Sequence, residues 1–210
     1  MKQLFLTSSI SKVAHDIALK LDFSRGNRLV FIDTAAEPKK GDKTWLKNHH
    51  DALLQSGFEV ERYTITEKTA SQLENDLQKY AHIYLSGGDT VYLLQQSQKS
   101  GFIPLLKRWV NEEGKTYIGC SAGSIIAGPK VPEYLLQEHK SSYLENSNGY
   151  EFVNFTILPH WGRPDFRDKY LKKRLEIAYR ENQVPLVLLT DTQYVHVQDE
   201  HIEIVDLRQE

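Results

Sequence analysis

Short apolar runs separated by longer stretches with helical spacing constrain this chain more than any other feature. The runs are Gln3-Leu4-Phe5-Leu6, Arg28-Leu29-Val30-Phe31-Ile32-Asp33, Phe58-Glu59-Val60-Glu61-Arg62-Tyr63, His82-Ile83-Tyr84-Leu85 and Lys115-Thr116-Tyr117-Ile118-Gly119. The third alternates in twos, as a half-exposed strand does. Between them, residues 11–21 place Val13, Ile17 and Leu21 at helical spacing, residues 44–56 stop before Gly57, and residues 71–80 set Leu73 and Leu77 four apart. Repeated strand–helix–strand units predict an α/β fold: a parallel sheet with helices on both faces and right-handed connections. In such sheets binding sites form beyond the carboxyl ends of the strands, so chemistry is sought in the residues that follow each run.

The last third reads differently. Residues 149–158 read as extended, residues 165–181 as a long charged helix, and residues 185–190 as a buried strand. Gln193-Tyr194-Val195-His196-Val197 and His201-Ile202-Glu203-Ile204-Val205 flank Gln198-Asp199-Glu200, a hairpin pattern. Residues 129–148 are the least regular and are a candidate for a loop over the site. No repeat or linker divides the chain, so residues 1–210 are expected to form a single α/β domain.

Composition excludes several classes. Lys and Arg total 26 against 28 Asp and Glu, a net charge of −2, which gives no footprint for nucleic acid and no polybasic signal for a membrane surface. Cys120 is the one cysteine, so neither an intrachain disulfide nor a multi-cysteine metal site is expected. The opening MKQLFLTSSISK has too short an apolar run for a signal peptide, and no stretch reaches the ~18 apolar residues of a membrane helix. A cytoplasmic location is the expectation.

The strongest local signal is Gly119-Cys120-Ser121-Ala122-Gly123, placed between a strand and a helix expected to start at Ile125-Ile126-Ala127. A G-x-S-x-G elbow in that setting holds a serine hydroxyl clear of a sharp, strained turn, with glycines where side chains would collide. The N–H of Ala122 then points where an oxyanion would develop. Cys120 lies one position before the nucleophile and reads as a small buried apolar residue. The Gly87-Gly88-Asp89-Thr90 sequence ends the fourth run. Its glycine pair lets backbone approach a ligand and offers a second oxyanion donor; the plainer reading is a helix entry capped by Asp89 or Thr90. Neither a dinucleotide nor a Walker fingerprint is present. His160, in Leu158-Pro159-His160-Trp161, is a candidate base among 8 histidines. Asp191, in Thr190-Asp191-Thr192, could orient an imidazole or simply close a strand-end turn. The run Lys169, Lys172, Lys173, Arg174 reads as a solvated helix face rather than an anion site.

Taken in order, LSGGDTVYLL, YIGCSAGS, ILPHW and LVLLTDTQYVHV resemble the dipeptidase E family of serine peptidases, whose relatives include cyanophycinase. The resemblance implies a three-layer sandwich like the class I glutamine amidotransferase domain, flavodoxin-like, with a mainly parallel sheet. It implies Ser121 as nucleophile, His160 as base, Asp191 as orienting acid, and an oxyanion hole from the N–H groups of Gly88 and Ala122. It also implies a small peptide substrate, with N-terminal aspartate preferred in family members of the dipeptidase type. Asp89, Thr90 and Arg163 are candidates to contact it, with Arg167 as an alternative arginine. No metal or organic cofactor is called for. The chain departs from the family pattern in three ways. Dipeptidase E has Glu where this chain has Asp191, and Gly-Gly-Asn where this chain has Asp89, whose charge is expected to repel an aspartyl substrate. The family also carries an Asp some way beyond the nucleophile, linked to activity; Leu135-Leu136-Gln137 supplies none, and Glu133 is read as the nearest acid. An esterase or amidase using the same residues, and a catalytically silent binding module, are the competing readings. A cysteine-dependent amidotransferase is disfavoured by the register of the elbow.

Overall fold

The computed structural model describes residues 1–138, 143–181 and 184–208. It begins β1 (Gln3–Thr7), α1 (Ile10–Leu19), β2 (Arg28–Ile32), α2 (Thr44–Gln55), β3 (Glu59–Tyr63), α3 (Ala70–Leu77), β4 (His82–Leu85), α4 (Thr90–Ser100), α5 (Phe102–Asn111) and β5 (Thr116–Cys120). There follow α6 (Ala122–Ile125), α7 (Glu133–Glu138), β6 (Thr156–Leu158), α8 (Pro164–Lys169), a π turn at Tyr170–Arg174, α9 (Leu175–Glu181), β7 (Leu186–Leu188), β8 (Gln193–Gln198) and β9 (His201–Asp206).

Seven strands form one sheet in the order β3-β2-β4-β5-β1-β8-β9. The first five are parallel, β8 runs antiparallel to β1, and β9 closes the edge as a hairpin with β8. The fold class, the mainly parallel sheet and the C-terminal hairpin agree with the sequence reading. Alternation along each central strand sorts side chains to two faces. Phe5, Leu29, Phe31, Tyr84, Ile118 and Cys120 are buried with α1 and α2. Leu4, Leu6, Val30, Ile32, Ile83, Leu85 and Tyr117 are buried on the other face with residues of α3 to α7 and α9.

Two expectations in the last third are corrected. The stretch read as a buried strand forms β7, but its residues are half-buried and Leu188 is 37% exposed. Among the described residues it pairs only with β6, in parallel and in a separate two-stranded sheet, so its other edge has no strand partner there. Only Thr156–Leu158 of the segment read as extended over 149–158 is strand. The described part of 129–148, read as the least regular stretch, carries α7 and is tied to its neighbours. Val131 N–H bonds the Ser147 carbonyl at 2.8 Å, and the Gln95 and Gln98 side chains of α4 bond the Tyr143 and Asn146 carbonyls, each at 2.9 Å. Residues 139–142 of that stretch lie outside the described residues. Among the described residues no helix is long and apolar enough to cross a membrane.

Candidate functional site

Strand ends bring the candidate residues together. Thr7 of β1 pairs with Cys120 of β5, so the next residues, Ser8 and Ser121, emerge side by side at the carboxyl edge. Leu158 of β6 pairs with Leu188 of β7, which sets His160 and Asp191 alongside each other two and three residues on. Trp161 N–H to Leu189 carbonyl (2.9 Å) and Leu189 N–H to Leu158 carbonyl (3.0 Å) tie the two exits together. The result is a continuous chain of contacts: Ser121 Oγ lies 3.0 Å from His160 Nε2, and His160 Nδ1 lies 2.8 Å from Asp191 Oδ1.

The backbone at both reacting residues is left-handed, with φ of 50° at Ser121 and 61° at His160. Such conformations cost about 1–3 kcal/mol each and persist where surrounding structure over-determines them. At Ser121 the constraint comes from its N–H, which donates to the Thr7 carbonyl at 2.9 Å, and from its carbonyl, which accepts from Ser124 and Ile125. The elbow glycines are steric necessities: a Cβ at Gly119 would lie 2.6 Å from the Gly123 carbonyl oxygen, and one at Gly123 would lie 2.4 Å from that of Leu85. The helix after the elbow starts earlier than the sequence reading placed it, at Ala122, and lasts one turn to Ile125. Ser121 itself takes the cap position, so Ala122 N–H, at the first helical residue, has no intrahelical acceptor.

Ser8 was not singled out by sequence. Its Oγ accepts from His160 N–H at 2.7 Å and donates to Asp191 Oδ1 at 2.6 Å. One small hydroxyl thus fixes both the backbone of the histidine and the carboxylate beside it. The signal available was positional: a serine directly after β1, the strand next to the elbow strand. Tyr170 Oη donates to the Pro159 carbonyl, and the Phe166 ring lies 4.6 Å from the His160 ring, closing the other side. Burial pushes the Asp191 carboxyl up, but hydrogen bonds from His160 and Ser8 and the charges of His160 and Arg163 outweigh it and hold the group at about 2.

Gly88 needs its glycine (φ 141°) because a Cβ would sit 2.0 Å from the Ala35 carbonyl oxygen; the close approach is to the protein's own backbone. Asp89 caps α4, the plainer of its two readings: its Oδ1 accepts from Tyr92 N–H at 3.0 Å, and it is not among the residues that line the cavity. Thr90 and Arg163 do line the cavity. Arg163 is held by Asp165 through two bonds (2.9 and 2.5 Å) and approaches Asp191 at 3.5 Å. Arg167 is 71% exposed and lies 3.8 Å from Asp168, away from the site. Cys120 is buried as expected but not merely apolar: its Sγ lies 3.5 Å from the Ser8 carbonyl and 3.8 Å from His49 Nδ1.

The basic run of 169–174 is also corrected. Lys172 is 73% exposed, but Arg174 is 7% exposed and lines the cavity with Lys169 and Tyr170. The π turn carries Tyr170 and Arg174 into one buried stripe with Ile177 and Ala178, an apolar spacing that could have marked Arg174. Arg174 meets Glu138 in two bonds, at 3.1 and 2.8 Å, and Lys169 reaches the same carboxylate at 3.1 Å. Glu138 follows directly on the stretch Leu135-Leu136-Gln137, and its carboxylate is taken up by these two cations. Burial pushes its carboxyl up, and the Arg174 and Lys169 bonds and charges reverse this and hold it at about 2.

Both carboxyls lie below their ordinary values of 3.8 and 4.5. A group depressed in the fold stabilises above its unfolded value and loses that contribution as pH falls through the folded one. At 1.36 kcal/mol per unit, Asp191 and Glu138 contribute roughly 2 and 3 kcal/mol at neutral pH. Denaturant midpoints should hold above about pH 5 and fall steeply from there toward about pH 2. Glu138→Gln should flatten that fall while lowering the neutral value, because Arg174 is left buried without its counter-charge.

These residues surround a cavity of about 540 Å³ at the carboxyl edge of the sheet. Its α2 side carries Trp45, Asn48 and His49; its other side carries Ile125, Leu135, Phe166, Lys169, Tyr170 and Arg174; Gly87, Ser121 and His160 lie between. Among the described residues no group of three or more His, Cys, Asp or Glu is placed to hold a metal ion.

Known proteins resemble the chain over this same frame. Residues 4–205 match the model of peptidase family S51. A peptidase of Listeria monocytogenes (strain EGD-e), itself uncharacterized, is 30% identical over 191 residues, 89% of this chain and 91% of that one. A probable alpha-aspartyl dipeptidase of Drosophila melanogaster is 26% identical over 154 residues, 71% of this chain and 62% of that one. The crystal structure of a candidate peptidase E protein from Listeria monocytogenes EGD-e superposes with a TM-score of 0.86 at 26% identity, covering 99% of this chain and 100% of that one.

Proposed function

Because the chain belongs to peptidase family S51, a family of serine peptidases of the dipeptidase E type, we propose that it hydrolyses short peptides by an acyl-enzyme route. Ser121 is the nucleophile, His160 the base and Asp191 the orienting acid. The observation that carries this reading is the unbroken chain from Ser121 Oγ to His160 Nε2 (3.0 Å) and from His160 Nδ1 to Asp191 Oδ1 (2.8 Å). Asp191 is ionised at neutral pH, so it keeps the proton on Nδ1 and leaves Nε2 as the acceptor facing Ser121.

Ser121 Oγ attacks the scissile carbonyl as its proton passes to Nε2. The oxyanion is met by the N–H groups of Ala122 and Gly88, neither of which is engaged by another group among the described residues. Each such donor lowers the barrier by about 3 kcal/mol. His160 then protonates the leaving amine, and water attacks the acyl-enzyme with His160 as base again. Thr90 is proposed to line the bound peptide. Arg163, already engaged by two carboxylates, acts on Asp191 more than on the substrate.

An acidic N-terminal residue fits the Arg174 side. Such a residue carries a side-chain carboxylate, and Lys169 and Arg174 line that side as two cations sharing the single carboxylate of Glu138. The name of the Drosophila relative points the same way. A fluorophosphonate probe read by intact mass is the test, alongside a dipeptide panel. One adduct on the wild type, absent after Ser121→Ala, and cleavage of aspartyl ahead of neutral dipeptides are expected. No adduct and no cleavage would return weight to the binding module.

A further inference from the structure

The helical stretch from α8 to α9 has two sides with different chemistry. Its inner side turns Tyr170 and Arg174 to the cavity and buries Ile177 and Ala178. Its outer side carries an apolar row at every fourth residue: Leu171, 50% exposed, half-buried Leu175, and Tyr179, 92% exposed. Beside it runs a row of exposed charges, Asp168, Lys172, Glu176 and Arg180, whose signs alternate. In a regular helix such rows drift round the axis, because a turn takes about 3.6 residues; the wider π turn at Tyr170–Arg174 takes up part of that drift and straightens both rows. A solvated face accounts for charges paired at four-residue spacing, but not for an apolar row left in water alongside them.

We propose that this outer side docks a second copy of the chain, the two helical stretches packing antiparallel about a two-fold axis. The charge row selects that occupant and that direction. A two-fold contact sets one patch against itself, with residue i meeting j and j meeting i. With the axis level with residue 174, Lys172 faces the partner's Glu176 and Asp168 faces the partner's Arg180, so all four charges of each copy meet the opposite sign. A parallel pair in register would set each charge against itself. The same antiparallel register staggers the apolar rows by half a step. Leu175 then enters between the partner's Leu171 and the partner's Leu175, and Leu171 between the partner's Leu175 and the partner's Tyr179, as ridges pack into grooves. The apolar row supplies the attraction, and the charges set direction and register. One helix against one helix buries less than a standard interface of about 1,600 Å², so a weak dimer, with a dissociation constant on the order of 10 μM, is expected.

Sedimentation equilibrium on the whole chain tests this. The mass should climb from that of one chain toward that of two between about 1 and 100 μM. Leu171→Ser combined with Tyr179→Ser should weaken association at least about tenfold. Lys172→Glu alone, or Glu176→Lys alone, sets like charges opposite each other twice per dimer and should weaken it about tenfold at low salt, less at high salt. The two charge changes together should restore it. That combination separates contact between copies from helix stability. It breaks both pairs within the helix, Asp168 with Lys172 and Glu176 with Arg180, so a purely structural role would make it the worst of the three variants. A chain that stays monomeric at about 100 μM, a dimer unmoved by Leu171→Ser with Tyr179→Ser, or a double charge variant no better than the single ones overturns the inference.

Discussion

Ser121→Ala should leave the fold intact and lower kcat on an aspartyl dipeptide by roughly 10⁴- to 10⁶-fold, the range seen when a serine nucleophile is removed from a working triad. The fold should survive because the hydroxyl's one hydrogen bond is to His160. The elbow is held by the Ser121 N–H and carbonyl, which alanine keeps, and by contacts of Gly119 and Gly123 that alanine does not touch. The strain at φ 50° is shared by serine and alanine. Stability in denaturant should therefore move by well under about 1 kcal/mol, within the range of a substitution that creates no cavity. Whatever activity remains comes from the Ala122 and Gly88 N–H groups and from binding. Steady-state kinetics with an unfolding curve on the same preparation checks both halves. Turnover within tenfold of wild type would take the nucleophile away from Ser121.

Much of this architecture was legible because it follows from periodicity. The four inner parallel strands appear where apolar runs appear, because strands buried on both faces read as near-continuous apolar runs, and β3, at the sheet edge, shows the two-residue alternation of a half-exposed strand. The elbow was legible because its chemistry demands glycine at two fixed offsets, and the structure gives the reason in the collisions a Cβ would make at Gly119 and Gly123. What escaped reading depends on long-range placement. Ser8 looks like any serine after a strand, and its contacts reach 152 and 183 residues along the chain. Arg174 looked like part of a charged face because charge alone was weighed; the π turn and the apolar stripe through Tyr170 and Ile177 turn it inward. Glu138 becomes informative only once Arg174 is seen behind it. Strand β7 was read as buried because its residues are apolar, yet among the described residues the strand lies in a two-stranded sheet with one open edge.

Asp191→Asn should cost nearly as much as loss of the nucleophile, about 10⁴-fold in kcat, through the histidine tautomer. Asp191 Oδ1 accepts from Ser8 Oγ and from His160 Nδ1, while Oδ2 faces Arg163 at 3.5 Å. An asparagine has one acceptor to divide between these groups. Turning its NH2 toward Arg163 sets donors against a guanidinium, so the amide oxygen takes that side and the NH2 faces His160. The imidazole then offers the Nδ1 lone pair to the amide and carries its proton on Nε2, where it can no longer accept from Ser121. Ser8→Ala separates this from simple misplacement. It removes one bond to Asp191 and leaves His160 N–H without its acceptor, yet the ionised carboxylate and the tautomer stay. A loss of about 1–3 kcal/mol, or roughly tenfold to a hundredfold in kcat, is expected there. Asp191→Glu adds a methylene within the 2.6 Å contact to Ser8, so in this chain it should lose activity unless Ser8 is shortened to alanine or glycine as well. Kinetics on the single and double variants tests that coupling. If Asp191→Asn costs no more than Ser8→Ala, the carboxylate acts by position alone and the tautomer argument fails.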